Sequence, residues 1–212
     1  TIETASLESP GGGTTQFLLE SPAFGGLIKG LLLSQSSPEF VALLVQLYGT
    51  ADVTEAQLVA AVDIFLDSIS AEELAAVNAI FTEFAFAAQT VLDGSDPINY
   101  GETLGSNTAT LMHTVVGDGG ENLPDQVIPV TTALPLSGQD PLAGVIGLEQ
   151  IVSTVQSADP VSGQVKFSRG GHGSSLSPFA DPAVTAEMQL QIATYITTKG
   201  RVIQISNPSV IA

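Results

Sequence analysis

Gln164-Val165-Lys166-Phe167-Ser168-Arg169-Gly170-Gly171-His172-Gly173-Ser174-Ser175 is the stretch on which the reading of this chain turns. Gln164 to Ser168 predicts a short strand, and the glycines after it end that strand and leave His172 in an open loop. Asp181-Pro182 then starts a helix, with an N-cap acid followed by Pro at the first helical position. That helix is expected to run to about Lys199, where Gly200 supplies the stop. Working outward, Thr108 to Val116 predicts an earlier strand, followed by an acidic glycine-rich loop from Gly117 to Pro124. A long loop, Thr131 to Gln139, leads to a short helix from Pro141 to about Gly147, and Val202 to Ile205 reads as a last brief strand. Near the start, Ile2 to Leu7 reads as a strand stopped by Ser9-Pro10-Gly11-Gly12-Gly13. Strands separated by helices favour an α/β sheet with parallel pairing.

Residues 17–93 have a different texture: helical and apolar. Ser37-Pro38-Glu39 opens a helix that Gly49 stops. Thr54 with Gln57, and Ser70 with Glu73, have the spacing of capping boxes. Leu58, Val62, Phe65, Leu66 and Ile69 fall on one helical face, as do Leu74, Val77, Ile80, Phe81 and Phe84. Three or four helices are expected there. The division is therefore a core of residues 1–16 and 94–212, with a helical insertion over 17–93.

Composition narrows the function classes. The formal net charge is −17, with only five Lys and Arg in 212 residues, which argues against nucleic-acid partners. An apolar share of 44% is enough to fill a core. No uninterrupted apolar run reaches the roughly eighteen residues of a membrane span. Cysteine is absent, so disulfides and thiolate chemistry are excluded. The opening residues show no signal-peptide pattern and no initiator Met, which suggests a chain that begins inside a longer product.

Two histidines can be weighed for chemistry. His113, in mid-strand, reads as a core or sheet-face residue with one nitrogen satisfied. His172 follows a strand among small residues and is free to meet a nucleophile. Asp125, in Pro124-Asp125-Gln126-Val127-Ile128-Pro129, lies beyond the end of the preceding long strand. A carboxylate and a histidine beyond the C-terminal ends of successive strands bracket the usual site of an α/β sheet. In a triad the acid holds one imidazole nitrogen while the other takes the serine proton. Asp118, in a Gly-Asp-Gly-Gly context, is the competing acid, and Asp125 is preferred. No Gly-x-Ser-x-Gly occurs: Leu7-Glu8-Ser9-Pro10-Gly11 lacks the first glycine, and Ser174 and Ser175 read as loop hydrogen-bonders. No cofactor motif is present, and neither the histidines nor the acidic loop has metal-site spacing.

The stretches Ala5 to Gly13, Leu18 to Phe24, Pro124 to Pro129, Gly170 to Ser175 and Ala186 to Ile205 resemble the bacterial extracellular lipases of the Pla-1/cef type. The resemblance implies the C-terminal half of an α/β-hydrolase fold, with equivalents of its sixth to eighth strands and a helical cap. It implies cleavage of carboxylic esters of acyl lipids, outside the cell or on the bacterial outer surface. It assigns Asp125 as triad acid and His172 as base, and it places the serine and the first five strands ahead of Thr1. The chain alone is then expected to be inactive. Its partners are an acyl-lipid substrate, the missing N-terminal half, and a second copy through an exposed sheet edge. The alternative is a non-catalytic lipid-binding or protein-interaction module built on the apolar helices.

Overall fold

The computed structural model describes residues 2–212, a mixed helix-and-sheet protein with a small parallel sheet. Its strands in chain order are β1 (Thr4–Glu8), β2 (Ala109–Val115), β3 (Val155–Gln156), β4 (Gly163–Phe167) and β5 (Val202–Ile203). The parallel sheet has the order β1-β2-β4, with Glu8 paired to His113 and Val115 paired to Phe167 at the C-terminal ends. Thr110 to Val115 are all buried, as a central strand covered on both faces requires. The brief last strand stands apart: β5 pairs antiparallel with β3, a two-residue element that carries no sequence signal of its own.

The described residues form eight α-helices: α1 (Thr14–Glu20), α2 (Gly25–Ser36), α3 (Pro38–Tyr48), α4 (Glu55–Ser68), α5 (Ala71–Leu92), α6 (Gly101–Asn107), α7 (Gln139–Ile146) and α8 (Pro182–Thr197). Five of them precede residue 93, one more than the upper expectation, and α1 already starts at Thr14. The cap signals fold as their chemistry dictates. Ser37 accepts from the Phe40 amide, and both Thr54–Gln57 and Ser70–Glu73 close reciprocal capping boxes. Asp181 caps α8 by accepting from the Ala183 and Val184 amides. Helix α6 and the 3₁₀ turn Pro97–Tyr100 lie outside the elements expected from sequence, and α7 begins two residues before the expected Pro141.

The buried apolar residues form two clusters. One, including Leu33, Phe40, Leu44, Val62 and Phe65, packs helices α1 to α5 together. The other joins Leu111, Val115, Val165 and Phe167 of the sheet to Val184, Met188 and Tyr195 of α8. Alternation along β2 puts Leu111, His113 and Val115 toward α8, whereas Thr114 faces the start of α7 through Gln164. Helix α5 is long and apolar enough, by length and composition, to cross a membrane. Glu83 lies at its middle, and Val77, Phe81 and Ala85 pack into the helical cluster.

The two sheet edges differ. The outer edge of β4 is covered by bridges from Gln150 to Gln164 and from Ile211 to Phe167. The outer edge of β1 has no strand partner among the described residues, and its five residues are only half-buried.

Candidate active site

Asp125 is placed by the end of β2. Its amide donates to the Val115 carbonyl at 3.0 Å, after the loop that begins at Gly117. Gly117 has φ 72°, and a Cβ there would lie 2.4 Å from the Asn122 carbonyl oxygen, so only glycine fits this turn. The Asp125 side chain folds back on its own loop: Oδ1 accepts from the Val127 amide at 2.8 Å and the Ile128 amide at 3.1 Å. The other oxygen, Oδ2, faces His172 Nδ1 at 2.8 Å and accepts from Gln139 Nε2 at 2.9 Å. Asp125 is buried, whereas the His172 side chain is 35% exposed.

His172 comes from the loop after β4. Gly170 turns the chain there at φ 110°, and the Gly171 amide donates to Ser174 Oγ at 2.8 Å. Arg169 and Asp181 approach to 2.8 Å across the ends of this loop. The Arg169 Nε–H is misaligned for a hydrogen bond, so the contact is one of charge. Because Nδ1 faces a carboxylate oxygen, that nitrogen carries the proton and Nε2 is left as the basic atom. No group among the described residues hydrogen-bonds His172 Nε2.

The structure thus brings Asp125 and His172 together and leaves Asp118 outside. Asp118 is exposed and accepts from Gly120 and Asn122 of its own turn. Those bonds, led by the Asn122 side chain, hold its carboxyl below the ordinary carboxylate range. Ser174 and Ser175 are buried, and Ser174 serves the loop as an internal acceptor. Ser9 is buried at φ 48°, and its amide continues the ladder to the His113 carbonyl.

His113 departs from expectation in one respect: both of its nitrogens are satisfied. Nδ1 lies 2.8 Å from Glu8 Oε2, and Nε2 lies 2.9 Å from Gln191 Oε1. The Gln191 amide donates in turn to Glu187, whose carboxylate also accepts from the Ser206 and Asn207 amides. Burial acts to raise the Glu8 pKa, but the bond and charge of His113, aided by the Ser6 hydroxyl, outweigh it and hold the carboxyl below its usual range.

The helical layer is fastened beside the pair. The Ala23 amide and the Ser21 hydroxyl both reach the Gln126 carbonyl, at 2.9 and 3.3 Å. At the other end, Asp96 accepts from the Gly13 and Thr14 amides and from Gln89. Two large apolar side chains, Leu176 and Phe179, stand almost fully exposed on the loop that follows His172. Among the described residues no three His, Cys, Asp or Glu side chains converge as a metal site. Gln139 is the site residue that sequence reading missed, because its signal is a side-chain contact made across a loop. No family model, curated protein or solved structure matches this chain.

Proposed function

We propose that this chain supplies the acid and base of a Ser-His-Asp hydrolase acting on carboxylic esters of acyl lipids. The carrying observation is the 2.8 Å contact between buried Asp125 Oδ2 and His172 Nδ1, beyond the C-terminal ends of adjacent parallel strands. In this reading Asp125 holds the imidazole tautomer and steadies the imidazolium. His172 Nε2 takes the proton of a serine hydroxyl and returns it to the leaving alcohol. The serine and the oxyanion donors come from a segment outside these residues, whose strand would add to the open edge of β1. The finer fold assignment belongs to the same proposal: equivalents of the sixth to eighth strands of an α/β-hydrolase, with α1 to α5 as a cap. An extracellular or outer-surface site of action accompanies it. Self-association through the β1 edge is the outcome when that segment is missing. The test is co-production with the polypeptide encoded ahead of Thr1: ester cleavage should appear and should be lost in His172→Ala.

A second reading is a non-catalytic lipid-binding module. It rests on an open hollow of about 280 Å³ in which Phe65, Ile69, Val77 and Ile80 lie beside Ser36, Ser37, Glu39 and Glu73, and which includes neither Asp125 nor His172. Lipid binding by the chain alone, unchanged in Asp125 and His172 variants, would favour this reading.

A further inference from the structure

Asp125 does not meet His172 alone. Gln139, the first residue of α7, is fully buried and donates from Nε2 to Asp125 Oδ2 at 2.9 Å and to the Ile128 carbonyl at 2.7 Å. These two acceptors fix the amide orientation, since the reverse would set its carbonyl oxygen against a carboxylate and a carbonyl with no proton between them. In the orientation adopted, Gln139 Oε1 is buried without a donor among the described residues. The amide thus serves two acceptors of the Asp125 loop while its own oxygen goes unpaired, and an apolar side chain here would leave the Ile128 carbonyl and Asp125 Oδ2 without this donor.

The backbone holds this amide from three sides. Gly138 and Gly12 exchange hydrogen bonds at 2.9 and 3.2 Å, which ties the start of α7 to the turn after β1. The Gln139 amide donates to the Pro129 carbonyl at 3.1 Å, beyond the loop that carries Asp125. The next residue, Asp140, anchors to β4 through Lys166 Nζ at 2.7 Å and Gln164 Nε2 at 2.9 Å. The Gln139 side chain thus projects from a pinned turn onto the oxygen that faces the imidazole.

We propose that Gln139 is a positioning residue for the Asp125–His172 pair, a role that rests on the acid–base reading of that pair. It holds the Asp125 carboxylate in the rotamer that receives the His172 Nδ1 proton, and so sets which nitrogen of the ring stays basic. Two backbone amides hold Asp125 Oδ1, and Gln139 adds the donor that holds Oδ2, the oxygen that faces the imidazole.

The test is ¹⁵N NMR of the whole chain labelled at histidine, with His172→Ala to assign the ring signals. Asp125→Asn is expected to shift the neutral ring of His172 from the Nδ1–H toward the Nε2–H tautomer. Gln139→Leu and Gln139→Met, which lack the donor, should shift the tautomer ratio the same way, by about half or more of the Asp125→Asn change. The methionine variant matches the length of glutamine and keeps the test alive if the leucine variant does not fold. If Asp125→Asn shifts the tautomer and folded Gln139 variants do not, the Gln139 role is overturned while the pair stands. If Asp125→Asn itself leaves the tautomer unchanged, the reading of the pair fails first.

Discussion

Glu8 and His113 occupy paired positions on adjacent parallel strands, and the Glu8 carboxylate lies 2.8 Å from His113 Nδ1. His113 is fully buried, and a glutamine at position 8 would keep an acceptor oxygen for its Nδ1 but remove the carboxylate charge that strengthens the bond. Glu8→Gln is expected to destabilise the chain by about 1–3 kcal/mol near neutral pH, read by urea unfolding. The Glu8 pKa is lowered in the folded state, so its contribution is present above the unfolded value of about 4.3. It is lost as pH falls through the folded value, and the gap between wild type and variant should close on acidification. An equal gap at every pH would contradict the pairing.

Asp96 joins the turn after β1 to the end of α5. Burial acts to raise its pKa, but donation from the Thr14, Ile98 and Gly13 amides and from Gln89 outweighs this and lowers it. Asp96→Asn should cost about 1–3 kcal/mol at neutral pH. With a lowered folded pKa, the wild-type advantage is complete above about pH 4 and fades below it. Thermal unfolding of both proteins across that range measures the effect.

The helical cluster has a local hinge of packing at Phe40, which is fully buried and meets Phe65 edge to face at 5.3 Å between ring centroids. Phe40→Ala is expected to destabilise by about 3–5 kcal/mol. Calorimetry or urea unfolding reads the loss directly, and a cost under about 1 kcal/mol would show that the site is not packed as described.

Gly170 controls how His172 is delivered. Its φ of 110° suits glycine, and a Cβ there would press on Ser174 Oγ and Val184 Cγ1, each at 3.0 Å. Gly170→Ala should cost about 1–3 kcal/mol and displace the His172 ring signal from its wild-type shift. Unchanged stability and an unchanged signal would show that the loop does not depend on this turn.

Much of this architecture was legible because its signals are local. The capping residues Ser37, Thr54, Ser70 and Asp181 each mark a helix start by a side chain that reaches a backbone amide within three residues. Asp125 and His172 could be singled out because each follows a strand that has a clear end. What sequence could not show depends on distant contact. Helix α6 is seven residues long, about two turns, with Leu104 as its one large apolar side chain, and it is held by packing against α7, so its pattern is faint. Strand β3 is two residues long and exists through its pairing with β5, the strand that Val202 to Ile205 does signal. The second bond of His113 needs Gln191, seventy-eight positions away, and Gln139 reaches Asp125 only once α7 is pinned to Gly12.

The most direct measurement of the central claim is ester hydrolysis by the product of the full reading frame that contains Thr1 to Ala212, using a p-nitrophenyl acyl ester. The account predicts activity that falls by about 10⁴-fold in Asp125→Asn and by about 10⁶-fold in His172→Ala, with both variants folded. Hydrolysis that persists undiminished in a folded His172→Ala variant would contradict it.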